Sequence, residues 1–323
     1  MELTPEDLEA LLELAERITA NPSLSPLLFC EQAKEQAQHL SSHLKSILTL
    51  FATAGSETGF LLIRTVPFDD SAIPETPSGN KYKIGETTIL AKIQAILISA
   101  ISDMIAYEAE GYGNLFQDVV PLKAMEHAQT SLGSNTELEI HTEQAFSKLK
   151  PDILSLACLR GDPEAFTHIF PIKTILEHTT GEEQELLKKP LWKTGVDLSF
   201  KLNNNEFIDG DTRGPMPIIS GPPNDPTLIF DQDLMMGITP EATNMIRKIV
   251  DIYYQKKIRH NLKPGEIILI DNRRAVHGRS AFKPRYDGRD RFLIRCFATF
   301  DLSKSEYARE KSTSPRTIAA IYS

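Results

Sequence analysis

Apolar and polar positions change their spacing along this chain, and each change marks a different kind of element. Residues 3–20 carry apolar side chains every three to four positions, with Thr4 as a helix cap, Pro5 in the first turn and acidic residues early. That combination predicts an amphipathic helix. The same spacing through Leu28, Ala33, Ala37, Leu40, Leu44, Ile47 and Leu48 predicts a second helix over residues 27–53. Residues 59–66 (GFLLIRTV) read as a strand, and a Pro- and Ser-rich loop runs on to Lys81. The apolar stretch 87–107 predicts a long buried helix. From Gly113 onward short strands alternate with turns, and the run Asn203-Asn204-Asn205 predicts a hairpin turn. One helix interrupts them at 239–257, with Pro240 in its first turn and Ile246, Val250, Tyr253 and Tyr254 at helical spacing. Helices first and strands after predict an α+β protein with a mainly β core and helices on its outside.

The chemistry sits on the strands. In LEIHTEQAF, period-2 alternation puts His141 and Glu143 on one side of an extended segment, about 7 Å apart. Two side chains so placed can converge on one metal. A bare His-x-Glu arises often by chance, and its weight here comes from His277. Two imidazoles and one carboxylate fill one face of an octahedron and leave three positions open, a set that suits non-haem Fe(II) with a co-substrate and dioxygen.

His277 lies in PGEIILIDNRRAVHGRSAFKPRYDGRDRFLIRCFATF. Gly265 and the run Ile267 to Ile270 predict a turn and a buried strand, which Asp271 to Arg274 break. After a turn-rich loop, residues 291–297 predict another strand, with Arg291 and Arg295 on the same face. Charged side chains in an otherwise apolar strand need partners. A guanidinium offers a two-pronged fork to a carboxylate, which a lysine cannot reproduce. Two forks beside an iron imply two carboxylates to be held.

With these residues in view, the chain resembles the clavaminate-synthase-like Fe(II)/2-oxoglutarate oxygenases of free amino acids, and within them the free L-lysine hydroxylases. The strings FQDVVP, QTSLGS, ELEIHTEQAF, LACLRGDP, FDQDLM, LIDNRRAVHGR and DGRDRFL carry the resemblance. It implies His141, Glu143 and His277 as iron ligands, and Arg291 with Thr167 as partners of 2-oxoglutarate. It implies that Arg295 clamps the α-carboxylate of the substrate, that Ser131 supports it, and that Gln117 faces the α-amino group. Related halogenases replace the carboxylate ligand with a small residue; Glu143 is present here, so hydroxylation is expected. A double-stranded β-helix, or jelly roll, fits both the strands and the resemblance. Residues 1–110 then form a mainly helical flank that lengthens the major sheet, and 111–323 form the core with the metal site, in one oxygenase domain.

Charge bears on the substrate. Asp231 and Asp233 in LIFDQDLMMGI point the same way if the segment is extended, and two carboxylates suit a terminal ammonium or guanidinium. Lysine and arginine both satisfy that logic, and the resemblance favours free L-lysine. Hydroxylation at C4 is the expectation, with C3, or arginine or ornithine as substrate, as alternatives. A jelly-roll binding protein without catalysis is the rival class, and the full ligand set argues against it.

The remaining features narrow the setting. Arg273, Arg274, Arg279, Arg285 and Arg289 read as loop charges and structural ion pairs, and a net charge of −9 argues against affinity for nucleic acids or anionic lipids. Three widely spaced cysteines, Cys30, Cys158 and Cys296, read as reduced buried thiols. The acidic amphipathic N-terminus is unlike a signal peptide, and no apolar run reaches the roughly 20 residues that span a bilayer. A cytoplasmic enzyme is expected. The sequence leaves its assembly open, a homo-oligomer included.

Overall fold

The computed structural model describes residues 1–64, 73–197, 200, 212–312 and 314–322. Four helices open the chain: α1 (Pro5–Glu16), α2 (Pro26–Ala37), α3 (Ser42–Ala54) and α4 (Ile89–Ser99). Thr4 caps α1 by accepting a hydrogen bond from the Asp7 N–H, with Pro5 in the first turn. The helix expected over 27–53 is two helices, because the chain breaks at residues 38–41 and restarts where Ser41 caps Leu44. The long helix expected over 87–107 also differs: it ends at Ser99, and β2 (Asp103–Tyr107) follows. A continuous apolar run does not distinguish a buried helix from a buried strand. Pairing decides it, since Ile105 of β2 lies against Phe297 of a central strand.

The largest sheet has seven strands. Its path runs from β1 (Phe60–Arg64) through β13 (Glu266–Asp271), β5 (Ile153–Arg160), β15 (Phe292–Thr299) and β2 to β16 (Thr317–Ile318), and β3 (Phe116–Val119) pairs with the first half of β15. Residues 1–110 thus contribute two strands, β1 and β2, to this sheet. Side chains alternate along β15: Phe292, Ile294 and Cys296 pack under helices α1–α4, while Leu293 and Phe297 face inward. That inner layer also holds Leu154, Leu156, Ile268 and Ile270, with Ile169 and Ala275 from a second, four-stranded sheet. The second sheet is antiparallel, in the order β12 (Ile258–His260), β6 (Thr167–Pro171), β14 (Ala275–Arg279), β4 (Leu138–His141). The helix Pro240–Lys256 covers its outer face through Ile249 and Tyr253 against Phe170 and Val276. A three-stranded sheet joins β11 (Met235–Gly237), β7 (Trp192–Gly195) and β8 (Thr212–Met216), and β9 (Ile219–Ser220) pairs with β10 (Thr227–Leu228). The hairpin turn expected at 203–205 lies outside the described residues. No described helix is long and apolar enough to cross a bilayer.

One buried side chain ties the sheets together beside the metal-ligand candidates. Asn272, fully buried in the turn between β13 and β14, accepts from the Glu143 N–H (2.8 Å) and donates to the carbonyls of Glu143 (3.1 Å) and Pro151 (2.8 Å). Asn272→Ala strips three buried backbone groups of their partner, at roughly 1–3 kcal/mol for each group left unpaired. We expect chemical denaturation to show a loss of about 3 kcal/mol or more on that scale; an unchanged midpoint would contradict this role.

Candidate active site

The two histidines meet because their strands do. His277 of β14 is paired with His141 of β4, and the rings lie 4.5 Å apart. β4 ends at His141, and Glu143 opens a turn in which Gln144 takes a positive φ of 54°. The extended geometry expected for the His-x-Glu segment therefore stops one residue early, yet the two side chains still converge. One ligand atom from each of His141, Glu143 and His277 lies within 4.8 Å of the others. Gly278 lets the strands close, since a Cβ there would stand 2.5 Å from the Leu138 carbonyl oxygen.

Glu143 and His277 are already in the form a metal requires. Burial alone would raise the Glu143 carboxyl, but the Arg295 guanidinium (3.6 Å) and the neighbouring imidazoles hold it at about 2. Burial, together with the nearby His141 ring, lowers the His277 imidazole to about 4. At neutral pH Glu143 is a carboxylate and His277 a neutral imidazole, so neither has to lose a proton before a cation enters. The His141 Nδ1 is anchored by the Glu139 carbonyl (2.8 Å), which fixes the ring as such ligands usually require. The donor set fits a divalent iron with open coordination positions.

All ten site residues expected from the sequence line one cavity of about 570 Å³: the three ligands together with Arg291, Thr167, Arg295, Ser131, Gln117, Asp231 and Asp233. They differ in what already occupies them. Arg291 is buried with no carboxylate paired to it among the described residues, and burial lowers its guanidinium to about 10. The Thr167 hydroxyl is buried without a hydrogen-bond partner. A cation and a hydroxyl left without partners on a cavity wall make a seat for an anion. Arg295 is engaged instead, by a short bond to Glu110 and by the Gln117 amide oxygen (3.1 Å to Nε). Gln117 thus presents a spent acceptor, and an α-amino group nearby would meet the Glu110 carboxylate more favourably.

The acidic pair is arranged differently from the extended segment expected. Asp231 forms a bridge with His141 and then starts a turn, its carboxylate accepting from the Leu234 N–H (2.7 Å). Asp231 is buried and Asp233 exposed, although both reach the cavity. Ser131 lies on a segment held from behind by Arg279, which is itself buried and donates to the Gly133, Thr136 and Ser280 carbonyls. Arg279 is therefore a clamp, unlike the loop charge expected, whereas Arg273 and Arg274 pair with buried Asp271 as structural ions. Sequence reasoning missed Glu110 and Asp197, both on the cavity wall. Glu110 sits in the string AYEAEGYG at the end of β2, where an acid closing an apolar run was the available signal; Asp197 carries none.

Comparison with known proteins agrees with this geometry. Residues 176–297 match the family described as taurine catabolism dioxygenase TauD, TfdA family. An L-lysine 3-hydroxylase of Catenulispora acidiphila is 45% identical over 99% of this chain and 89% of its own length. An L-lysine 4-hydroxylase of Niastella koreensis is 28% identical over 80% of this chain and 71% of its own. The crystal structure of an asparagine oxygenase in complex with Fe(II), 2S,3S-3-hydroxyasparagine and succinate superposes with a TM-score of 0.89, at 29% identity, covering 99% of this chain and 98% of that one. The chain belongs to the TauD/TfdA family, among its clavaminate-synthase-like amino-acid oxygenases that depend on Fe(II) and 2-oxoglutarate.

Proposed function

We propose that this oxygenase hydroxylates free L-lysine, at C3. The observation that carries the reading is the 45% identity to an L-lysine 3-hydroxylase over 99% of the chain. For that reason C3 replaces the C4 expected from the sequence. The cavity supports a basic amino acid independently, through a carboxylate-binding arginine and an acidic wall. Iron, once bound, supplies the oxidation: dioxygen and 2-oxoglutarate yield succinate and CO2, and one oxygen atom enters a substrate C–H bond.

The side chains divide the binding work by charge. His141, Glu143 and His277 hold the metal on one face, and Glu143 fills the position that a halide would otherwise take. Arg291 and the Thr167 hydroxyl take the distal carboxylate of 2-oxoglutarate, an anion that answers both. Arg295 takes the substrate α-carboxylate, with Ser131 in support, and Glu110 beside it takes the α-ammonium that Gln117 was expected to face. Asp231 and Asp233 draw the side-chain ammonium to their wall. Holding a flexible chain at both ends fixes which methylene faces the metal, which is how binding energy becomes regiochemistry. The jelly-roll closure of the core belongs to the same reading, supported by the two packed antiparallel sheets and the triad on β4, the turn after it and β14.

Incubation with L-lysine, Fe(II), 2-oxoglutarate and oxygen should give one succinate per hydroxylysine, with NMR placing the hydroxyl on C3. Hydroxylation at C4, or turnover of arginine or ornithine without lysine, would overturn the proposal. The two arginines should separate kinetically. With Fe(II) kept saturating, so that the link between Arg295 and Glu143 does not limit metal binding, Arg291→Ala should raise the 2-oxoglutarate KM far more than the lysine KM, and Arg295→Ala the reverse. Breaking a buried charge pair costs about 3–5 kcal/mol, so each shift should reach roughly a hundredfold or more. The opposite pattern would show the roles exchanged.

A further inference from the structure

Among the described residues, seven carboxylates line the cavity (Glu110, Asp118, Glu139, Glu143, Asp197, Asp231 and Asp233) against three guanidinia, those of Arg279, Arg291 and Arg295. Most have an assigned partner. Glu143 faces the metal position and Arg295, Glu110 is bound by Arg295 and Gln144, and Asp118 accepts from the N–H groups of Ile84 and Gly85. Asp197 is different. Its carboxylate has no hydrogen bond or ion pair among the described residues, and Arg295, the cation near enough to act on it, is already committed to Glu110 and Gln117.

The fold places this carboxylate beside Asp231 deliberately. Asp197 lies two residues beyond β7, and β7 pairs with β11, so that Thr194 lies against Met235. The Gly195 N–H donates to the Leu234 carbonyl (3.1 Å), which lashes the chain before Asp197 to the turn that starts at Asp231. Val196 and Phe200, on either side, are buried with Ala109 and Phe146, neighbours of Glu110 and of the Glu143 turn. The segment after β7 and the turn before β11 thus bring two carboxylates to one wall. Burial first, and then Asp231, Glu143 and Glu110, push the Asp197 carboxyl well above the usual carboxylate range. Like charges brought together out of water are costly until a cation joins them.

We infer that Asp197 is a specificity residue, forming with Asp231 the seat of the side-chain ammonium of the basic amino-acid substrate. The inference rests on the lysine reading and adds a residue to it. An ammonium is compact and carries three donors that turn freely, so it can answer carboxylates from separate segments, whereas a guanidinium needs its partners in one plane. Asp233, exposed at the rim, then serves the approach of the cation more than its final seat.

The test compares lysine with norleucine, which is lysine without its side-chain amino group. Affinities for the Fe(II)–2-oxoglutarate enzyme are measured anaerobically, norleucine by competition against lysine. Asp197→Asn should weaken lysine at least tenfold, change norleucine less than twofold, and leave the affinity for 2-oxoglutarate and the melting temperature unchanged. Asp197→Glu should recover part of the lysine affinity, and Asp197→Ser serves if the Asn variant does not fold. Equal weakening of both ligands, or unchanged lysine affinity, would overturn the inference while the lysine reading stands. A wild-type enzyme that oxidises neither lysine, ornithine nor arginine would overturn both. If ornithine is preferred to lysine, the lysine reading falls, and the same comparison against norvaline decides the role of Asp197.

Discussion

Burying Glu143 next to two imidazoles is the constraint on which the rest of the site depends. A carboxylate in that position, without compensation, would take up a proton and cease to be a metal ligand. Arg295 prevents this from 3.6 Å away, holding the carboxyl at about 2 despite burial. The arginine in turn has to be buried, and Glu110 and Gln117 satisfy its remaining donors. One chain of charges therefore runs from the metal face to the place where an amino acid's own charges would dock. In the proposed complex, a zwitterion next to Arg295 and Glu110 would exchange partners within that chain without creating a bare buried ion. The same logic extends to the proposed role of Arg291: a buried guanidinium with no carboxylate paired to it among the described residues would be completed by a ligand anion.

Backbone placement serves this arrangement. The candidate ligands come from β14, from β4 and from the turn that follows it, and the fully buried Asn272 side chain fixes that turn by gripping both backbone groups of Glu143. Arg291, Leu293 and Arg295 all reach the cavity from one face of the β15 segment, while alternate residues anchor the strand under the helices. The helical flank therefore acts on the site indirectly, by covering the outer face of the sheet that aims both arginines.

Legibility in the sequence followed the range of the interaction concerned. The cap at Thr4, the helix starting at Pro240 and the alternation around Arg291 and Arg295 are local patterns, and all stand in the structure. β2 was read as helix because its apolar residues are decided by a partner strand almost two hundred residues away, which no local spacing records. The Asp231 segment was read as extended because two aspartates separated by one residue fit a strand as well as a turn; the Leu234 N–H selects the turn. Glu110 and Asp197 escaped notice for a related reason. Each acquires chemical meaning only when distant strands bring it beside Arg295 or Asp231, and neither belongs to a metal-ligand pattern.

In the proposed function, a three-residue metal face and a waiting buried arginine together create the 2-oxoglutarate site. Anaerobic calorimetric titration of the metal-free protein measures this directly, first with Fe(II) and then with 2-oxoglutarate. The account predicts one iron per chain and 2-oxoglutarate binding that is strong only after iron is present. Equal binding of 2-oxoglutarate with and without iron, or no stoichiometric uptake of iron, would contradict it.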